Sequence, residues 1–344
     1  LLHFIYEDKG ESSATWKELP GYMVKHFQYM SKHFGEYAYP HFTFAQGGDG
    51  GMEYPNLTLI TGSRRLGSLV GVSVHESVHN WYYGMLASDE GSYPWMDEGF
   101  TEYASSEVMR HLFPGQQQGR VHADATEAYL QLAASDAHEP MSTHADHFRT
   151  NRGYGTTAYS KGEFFLDQLG AVIGDSTLHR GLLRYYTACR FKHPEPIDVR
   201  RVMEKESRLQ LDWYFDEWIN TTRDLDYAVS AVTGRKDSTF ITLKREGEML
   251  MPLDVAVVHA DGSRHFYHVP LSLMLGNRNE APEGQVHMAM PPWNWTAPEY
   301  TMVLPIPLHG IRAVAIDPDS RLADKDRSND GIELAPGSQG VIRQ

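Results

Sequence analysis

The segment His75-Glu76-Ser77-Val78-His79, together with Glu98 downstream, decides how this chain is interpreted. Histidines four residues apart lie on the same face of a helix, so their two imidazoles can share one metal ion. Glu76 lies beside them and can hold a metal-bound water as a general base. Two histidines, one carboxylate and one open position are typical of a catalytic zinc rather than a structural one. The segment therefore predicts a zinc site with His75, His79 and Glu98 as ligands.

The residues around this segment favour the same interpretation. Eighteen residues separate His79 from Glu98, which is enough chain for a helix to end, a loop to turn and a second helix to begin. We expect these helices at 66–86 and 95–113. Residues 95–100 surround Glu98 with apolar side chains, where an unpaired carboxylate would be costly. The alternative is a pair of core histidines with ordinary hydrogen-bond partners.

Composition limits the function classes. The chain has 344 residues, which suits two domains or one large and one small, and 41% of the residues are hydrophobic, enough to bury a sizeable core. Acidic residues outnumber basic ones by 45 to 31, a net charge of -14, so we expect no nucleic-acid partner. Cys189 is the single cysteine, which excludes an intrachain disulfide. No apolar run is long enough to span a bilayer. Oligomeric state and compartment stay open.

The order of the patterns predicts an α+β protein. Helical periodicity dominates as far as Asn220, with an expected break at Pro20-Gly21 in the first helix. From Tyr227 the chain alternates with period two, which is typical of a small antiparallel β-sandwich. We therefore expect a mainly helical domain at 1–224, with an N-terminal part that is incomplete, a sandwich at 225–325, and a polar, poorly packed tail at 326–344.

A glycine cluster at 47–51 precedes a predicted strand at 52–61. It does not have the spacing of a phosphate-binding loop. We expect it to let the backbone approach a ligand or a neighbouring strand closely. Glu53 stands just after these glycines, and from the residues alone it could be an ordinary structural carboxylate.

Three motifs in the right order resemble a known family. HESVH with Glu98 resembles the gluzincin pattern, Gly50-Gly51-Met52-Glu53-Tyr54 resembles the G-x-M-E-N exopeptidase motif, and Tyr159-Ser160-Lys161-Gly162 resembles the Y-x-K-G element. Together they resemble the M1 family of zinc aminopeptidases over roughly 39–220, and the sandwich resembles the third domain of some bacterial members. The resemblance implies a thermolysin-like catalytic domain, one Zn²⁺ per chain and peptide substrates with a free N-terminus.

The resemblance also implies a role for each matching residue. Zinc would be bound by His75, His79 and Glu98, and Glu76 would activate the water. Glu53 would bind the free α-amine of the substrate, and the substrate backbone would be lined by Gly50, Gly51 and Met52. Tyr159 would donate to the developing oxyanion. Glu102 and Asp97 are rival candidates for orienting a zinc-bound histidine.

Three departures and three alternatives accompany this interpretation. Tyr54 stands where the exopeptidase motif usually has Asn, so we expect the pocket for the first side chain to differ. The family's N-terminal β domain and C-terminal helical domain have no counterpart here, so we expect a part of a longer protein. The alternatives are a thermolysin-type endopeptidase, which has no use for Glu53, a bifunctional member that also opens an epoxide, and a non-catalytic scaffold.

Overall fold

The computed structural model describes residues 1–9, 12–115, 119–278 and 287–343. The chain forms two compact units, Leu1–Asp167 with His179–Glu206, and Gln168–Leu178 with Ser207–Gln344. Helices and separate sheets occur together, which confirms the α+β prediction. Among the described residues, no helix combines the length and the apolar character needed to cross a membrane.

The elements of the first unit begin with a strand and a long helix. They are β1 (Leu2–Ile5), α1 (Ser12–His33), β2 (Phe42–Gly47), β3 (Gly51–Tyr54), β4 (Leu57–Thr61), α2 (Leu66–His79), α3 (Pro94–Leu112), α4 (Ala123–Ala133) and α5 (Asn151–Gly155). One π-helical turn, Asn80–Met85, follows α2, and another, Thr156–Lys161, follows α5. The helices α6 (Gly162–Ile173) and α7 (Asp175–Cys189) contribute residues to both units, and α8 (Pro196–Ser207) follows.

The sheet of the first unit has the order β1-β2-β4-β3. β1, β2 and β4 run parallel, whereas β3 pairs with β4 in the antiparallel sense and forms one edge of the sheet. Large apolar side chains from the strands and helices fill the core, among them Phe44, Ile60, Trp81 and Trp95. Within the described ranges no strand pairs with the outer edge of β3, so this edge can pair with another extended chain.

Helix α1 continues through Pro20, so the predicted break at Pro20-Gly21 is wrong. Trp16 and Leu19 before the proline, and Met23 after it, are fully buried. Burial of a large apolar side chain is worth about 1.5–3 kcal/mol, and a proline inside a helix costs about 3 kcal/mol. The free energy gained by burying apolar side chains on both sides of Pro20 therefore exceeds the cost of the proline, and both halves stay in one helix.

The second unit contains a short helix and two sheets. Its elements are α9 (Asp212–Asn220), β5 (Tyr227–Arg235), β6 (Ser238–Arg245), β7 (Leu253–His259), β8 (Arg264–Val269), β9 (His287–Ala289), β10 (Glu299–Leu304), β11 (Ile311–Ile316), β12 (Gly331–Glu333) and β13 (Gly340–Ile342). The sheets have the orders β10-β6-β5-β13 and β12-β11-β7-β8-β9. Alternate residues of the strands are buried, as the period-two pattern predicted.

Two features of this sandwich differ from the prediction. β8 and β9 pair in parallel, because strands this far apart in sequence are not limited to the antiparallel pairing of a tight hairpin. The tail is also better ordered than expected, since β12 pairs with β11 and β13 pairs with β5. The domain boundaries at 224 and 325 stay predictions.

Candidate zinc centre

Helix α2 places its two histidines one turn apart. The ring centroids of His75 and His79 lie 4.7 Å apart, and their Nε2 atoms are separated by 3.1 Å. His79 is almost fully buried, while His75 is partly accessible. The helical period alone explains this pairing, since residues i and i+4 stack along one helix face.

Helix α3 brings the third donor to the same point. Glu98 Oε2 lies 3.4 Å from His75 Nε2 and 3.3 Å from His79 Nε2. Ligands at about 2.0–2.1 Å around a tetrahedral zinc are themselves about 3.3 Å apart, so the three donors match that spacing. Glu98 Oε2 is buried and accepts no hydrogen bond from any residue that the structure describes. A buried carboxylate oxygen without a donor fits a metal ligand.

Each imidazole is oriented by its own carboxylate. His79 Nδ1 donates to Asp97 Oδ1 at 2.6 Å, and His75 Nδ1 lies 3.2 Å from Glu102 Oε1. Such contacts hold the proton on Nδ1 and direct the lone pair of Nε2 towards the metal position. The two rival candidates for this role therefore each contact a different histidine.

The charges around the donors favour a cation. Burial alone would lower the pKa of His75, but contacts with Glu102 and Glu98 outweigh burial and raise that pKa to about 9. The pKa of His79 is also raised, against burial, by Asp97 and Glu98. Carboxylates that stabilise positive charge on both rings would equally stabilise a divalent cation between them. The residues present therefore fit Zn²⁺.

Glu76 faces the glycine-rich strand. Burial raises the pKa of its carboxyl to about 7, against the opposing effect of the two histidines. A Cβ placed on Gly51 would lie 2.2 Å from Glu76 Oε1 and 2.6 Å from Val72 Cγ2, so only glycine fits there. The expected close approach of the glycine segment is therefore an approach to α2, at the carboxylate predicted to be the base.

Tyr159 reaches the same centre from the π-helical turn after α5. Its hydroxyl donates to Glu98 Oε1 at 2.5 Å, and its ring stacks on His75 at 5.9 Å between centroids. The backbones that carry Glu98 and Tyr159 approach each other closely, because a Cβ on Gly99 would lie 2.6 Å from the Cα of Gly162. Burial and the Glu98 carboxylate both raise the pKa of Tyr159, so its hydroxyl keeps its proton.

Glu53 lies beside the donors, on the open strand β3. One of its carboxylate oxygens lies within 4.8 Å of an oxygen of Glu76 and of a ring nitrogen of His79. Thr58 Oγ1, on β4, donates to the carbonyl of Met52 at 3.0 Å, and Arg64 Nη2 donates to the carbonyl of Gly50 at 2.5 Å. Glu53, Gly51 and Tyr159 therefore lie beside the predicted donors and base, while the carbonyls of Met52 and Gly50 are bound by Thr58 and Arg64.

Two side chains near the site were missed by the sequence analysis. Glu90, in the loop before α3, has a carboxylate oxygen within 4.8 Å of Glu53 and Asp97, and burial together with these two carboxylates raises its pKa. Tyr154 packs edge-on against Tyr159 with the ring centroids 6.4 Å apart. Neither residue belongs to a recognisable pattern, since both come from segments that read as loops.

Comparisons with known proteins agree with this geometry. The model of the peptidase family M1 domain matches residues 21–218, more than half of the chain. Human aminopeptidase B is 27% identical over 198 residues, which cover 50% of this chain and 29% of that protein. Probable aminopeptidase 1 of Saccharolobus solfataricus is 22% identical over 150 residues, covering 43% and 19%. This chain therefore spans less than a third of the length of either relative.

A solved structure shows the same fold over nearly the whole chain. Legionella pneumophila aminopeptidase A in complex with aspartic acid aligns with 94% of this chain and 36% of its own, with a TM-score of 0.62 and 12% identity. The likeness covers the thermolysin-like helical part and the sandwich. With the family model matched across the zinc donors, the chain belongs to peptidase family M1.

Proposed function

We propose that this chain carries the catalytic site of a zinc aminopeptidase, which removes residues from the N-termini of peptides. The observation that supports this most is the position of Glu53. Its carboxylate lies within 4.8 Å of both Glu76 and His79, at the edge strand beside the zinc donors. A carboxylate there can bind a substrate ammonium only if that ammonium is close to the reacting carbonyl, and the amine of a first residue meets this condition.

Hydrolysis of a peptide bond needs a nucleophile and charge stabilisation at the carbonyl oxygen. When bound by His75, His79 and Glu98, zinc supplies Lewis acidity and lowers the pKa of a coordinated water to roughly 7. Glu76 takes up the proton of the attacking water on its carboxylate and returns it to the nitrogen of the leaving amine. Burial of Glu76 raises the pKa of its carboxyl to about 7, so its proton affinity is close to that of such a water.

Tyr159 stabilises the oxygen that becomes charged during attack. Its hydroxyl is protonated, lies at the zinc donor Glu98, and can turn from that carboxylate to a substrate oxygen. One such donor typically contributes about 3–4 kcal/mol to the stability of the transition state. The edge of β3 meanwhile holds the substrate backbone in an extended form, with Gly51 bringing that edge close to Glu76.

The proposal is tested with a short peptide, its N-acetylated form and a zinc chelator, with the full-length protein that contains this chain. We expect cleavage of the free peptide, loss of cleavage with the chelator, and no cleavage of the acetylated form. Equal cleavage of both peptides would instead support a thermolysin-type endopeptidase. No cleavage of either by the zinc-loaded protein would support a non-catalytic scaffold.

A matched pair of variants assigns the amine site. Glu53→Gln removes the charge that binds the ammonium, so we expect KM for the free peptide to rise by at least about tenfold. Glu18→Gln on the exposed face of α1 removes the same charge at a residue outside the predicted site and serves as the control. If both variants keep the native preference for a free amine, Glu53 is not the anchor.

A further inference from the structure

The end of β3 opposite to Glu53 carries an open pocket with two arginines. The pocket has a volume of about 400 Å³ and lies where β4 ends and α2 begins. Its walls come from one short run of the chain, with hydroxyl and guanidinium groups as the polar atoms: Thr61, Ser63, Arg64, Arg65 and Ser68. None of these residues takes part in the zinc centre.

Both arginines lack an acidic partner among the residues that the structure describes, although acidic residues exceed basic ones in this chain. Arg64 donates from Nη1 to Ser68 Oγ at 3.1 Å and from Nη2 to the carbonyl of Gly50, while its buried Nε has no acceptor in the described structure. Arg65 is exposed. Planar guanidinium groups bind carboxylates through paired hydrogen bonds, so this pocket suits a carboxylate.

The pocket lies at a definite distance from the amine site. Glu53 and Gly50 are three strand residues apart, which is about 10 Å, and Arg64 binds the carbonyl of Gly50. Along α2, Ser68 precedes Glu76 by eight residues, which is about 12 Å. Gly51 packs on Val72 and Glu76, so β3 follows this same face of α2. Both routes place the pocket about 10–12 Å from the zinc-side end of β3.

The charges at the two ends of β3 have opposite signs. Glu53, Glu90 and Asp97 each place a carboxylate oxygen within 4.8 Å of the others at one end, and Arg64 and Arg65 line the other end. A peptide with its ammonium at Glu53 must therefore extend towards Gly50, antiparallel to β3. An extended chain covers about 3.3–3.6 Å per residue, so the third residue of a substrate reaches the arginines.

We propose that the pocket of Arg64 and Arg65 binds the C-terminal carboxylate of short peptides, which makes tripeptides with a free C-terminus preferred substrates. This inference rests on the aminopeptidase function proposed above. The side chain of Asp or Glu at the third position would offer the same carboxylate chemistry. The structure favours the C-terminal carboxylate, because the distance from Glu53 matches the length of the backbone of three residues.

The experiment compares kcat/KM of the zinc-loaded, full-length protein for a tripeptide acid and for the same tripeptide with a C-terminal amide. We expect the acid to be about tenfold better, mainly through a lower KM, as for a charge-assisted hydrogen bond at a partly exposed site. A third peptide, an amide with Asp at its third position, tests the side-chain source. Equal kcat/KM for acid and amide overturns the proposal, and an advantage confined to the Asp peptide also overturns it.

An aminoacyl p-nitroanilide separates this proposal from the proposed function, because it has a free amine but no carboxylate. If the nitroanilide is hydrolysed while acid and amide peptides are cleaved equally, only the pocket assignment fails. If neither the nitroanilide nor any free-amine peptide is hydrolysed, the aminopeptidase function itself fails.

A pair of arginine variants locates the effect. Arg65→Gln is expected to reduce the acid-to-amide ratio from about ten towards one, and Arg65→Lys to retain part of it. Arg201→Gln on α8, which is also exposed, removes the same charge elsewhere and is expected to keep the ratio near ten. An unchanged ratio in Arg65→Gln overturns the assignment of the carboxylate to this pocket.

Discussion

Two clusters in this chain contain the same residue types but differ in whether a positively charged side chain compensates their carboxylate. His75, His79 and Glu98 meet in the first unit, and Asp254, His268 and His287 meet in the second. Each has two histidines and one carboxylate, with one ligand atom from each residue close enough to share a metal ion. Only their surroundings distinguish them.

The second cluster already contains its cation. Arg278 Nη2 donates to both oxygens of Asp254, at 2.7 and 2.6 Å, and lies 3.2 Å from His287 Nδ1. His268 Nδ1 lies 2.7 Å from Asp254 Oδ1. The guanidinium therefore occupies the position that a metal would need, and the cluster is a buried ion-pair network of the sandwich.

No such group lies at the first cluster in the part of the chain that the structure describes. Glu98 Oε2 has no donor in the described structure, and carboxylates behind the rings direct both Nε2 atoms inwards. Histidines and acids in contact therefore do not define a metal site by themselves. An uncompensated carboxylate, and ring nitrogens held by outer partners, distinguish a site that needs a cation from one that already has it.

The largest expected difference is in bound zinc. His79→Ala removes a donor and should lower zinc affinity by more than about a thousandfold, so the dialysed protein loses its metal. His268→Ala, the matched change in the second cluster, should retain one zinc per chain. Metal analysis after dialysis checks both variants. Loss of zinc in His268→Ala alone would reverse the assignment of the two clusters.

The next effect separates chemistry from metal binding within the first cluster. Glu76→Gln leaves all three donors in place, so zinc content should stay at one per chain. Hydrolysis should fall by about a thousandfold, because the amide side chain cannot accept the proton of the attacking water. Steady-state kinetics and metal analysis on the same sample are the test, and an active Glu76→Gln protein would require another base.

A change in the second cluster should affect stability instead of activity. Asp254→Asn leaves Arg278 buried without its carboxylate and should lower the free energy of unfolding by about 3 kcal/mol at neutral pH. Burial opposes the charged form of Asp254, but His268, His287 and Arg278 lower its pKa overall. Its stabilising effect is therefore complete above about pH 4 and is lost as the pH falls.

Denaturant unfolding of the native and Asp254→Asn proteins at pH 7 and pH 3 measures this effect. The difference between them should shrink at the lower pH, and zinc content should be equal in both. A difference that grows at low pH would contradict the ion-pair assignment.

Tyr159→Phe tests the oxyanion role with a smaller change. Loss of the hydroxyl should lower kcat by about a hundredfold and leave KM nearly unchanged, since the donor acts mainly in the transition state. The same change removes the hydrogen bond to Glu98, so zinc affinity must be measured in parallel. A fall in zinc content that accounts for all the lost activity would assign Tyr159 to metal binding only.

The smallest effects concern the carboxylates behind the histidines. Asp97→Asn should weaken zinc binding by about 10- to 100-fold, and Glu102→Gln by less, because Asp97 is buried and Glu102 is a third exposed. Competition with a chelator of known affinity gives both values. The opposite order would mean that His75, not His79, depends more on its outer partner.

The proximity of the three predicted zinc donors could be inferred from the sequence because their arrangement is local. The helical period brings His75 to His79, and only one short connection lies between them and Glu98. The charge of Glu98 and the apolar residues on both sides of it also favoured a role as a ligand. The family resemblance added Glu53 and Tyr159, which no local periodicity could have connected with α2.

The remaining features depend on tertiary contacts that a single sequence does not display. Asp254 faces His268 across two strands, so their meeting depends on strand register. Pro20 continues α1 because of the side chains that are buried on both sides of it. Arg64 reaches Gly50 only through the turn of β3 onto β4. Alternation and propensity predict strands and helices but not these pairings.

The most direct test of the central claim is a crystal structure of the purified protein with anomalous diffraction recorded at the zinc absorption edge. We predict one strong anomalous peak between His75 Nε2, His79 Nε2 and Glu98 Oε2, and none at Asp254. A peak at Asp254, or none at the three donors in a protein supplied with zinc, would contradict the account.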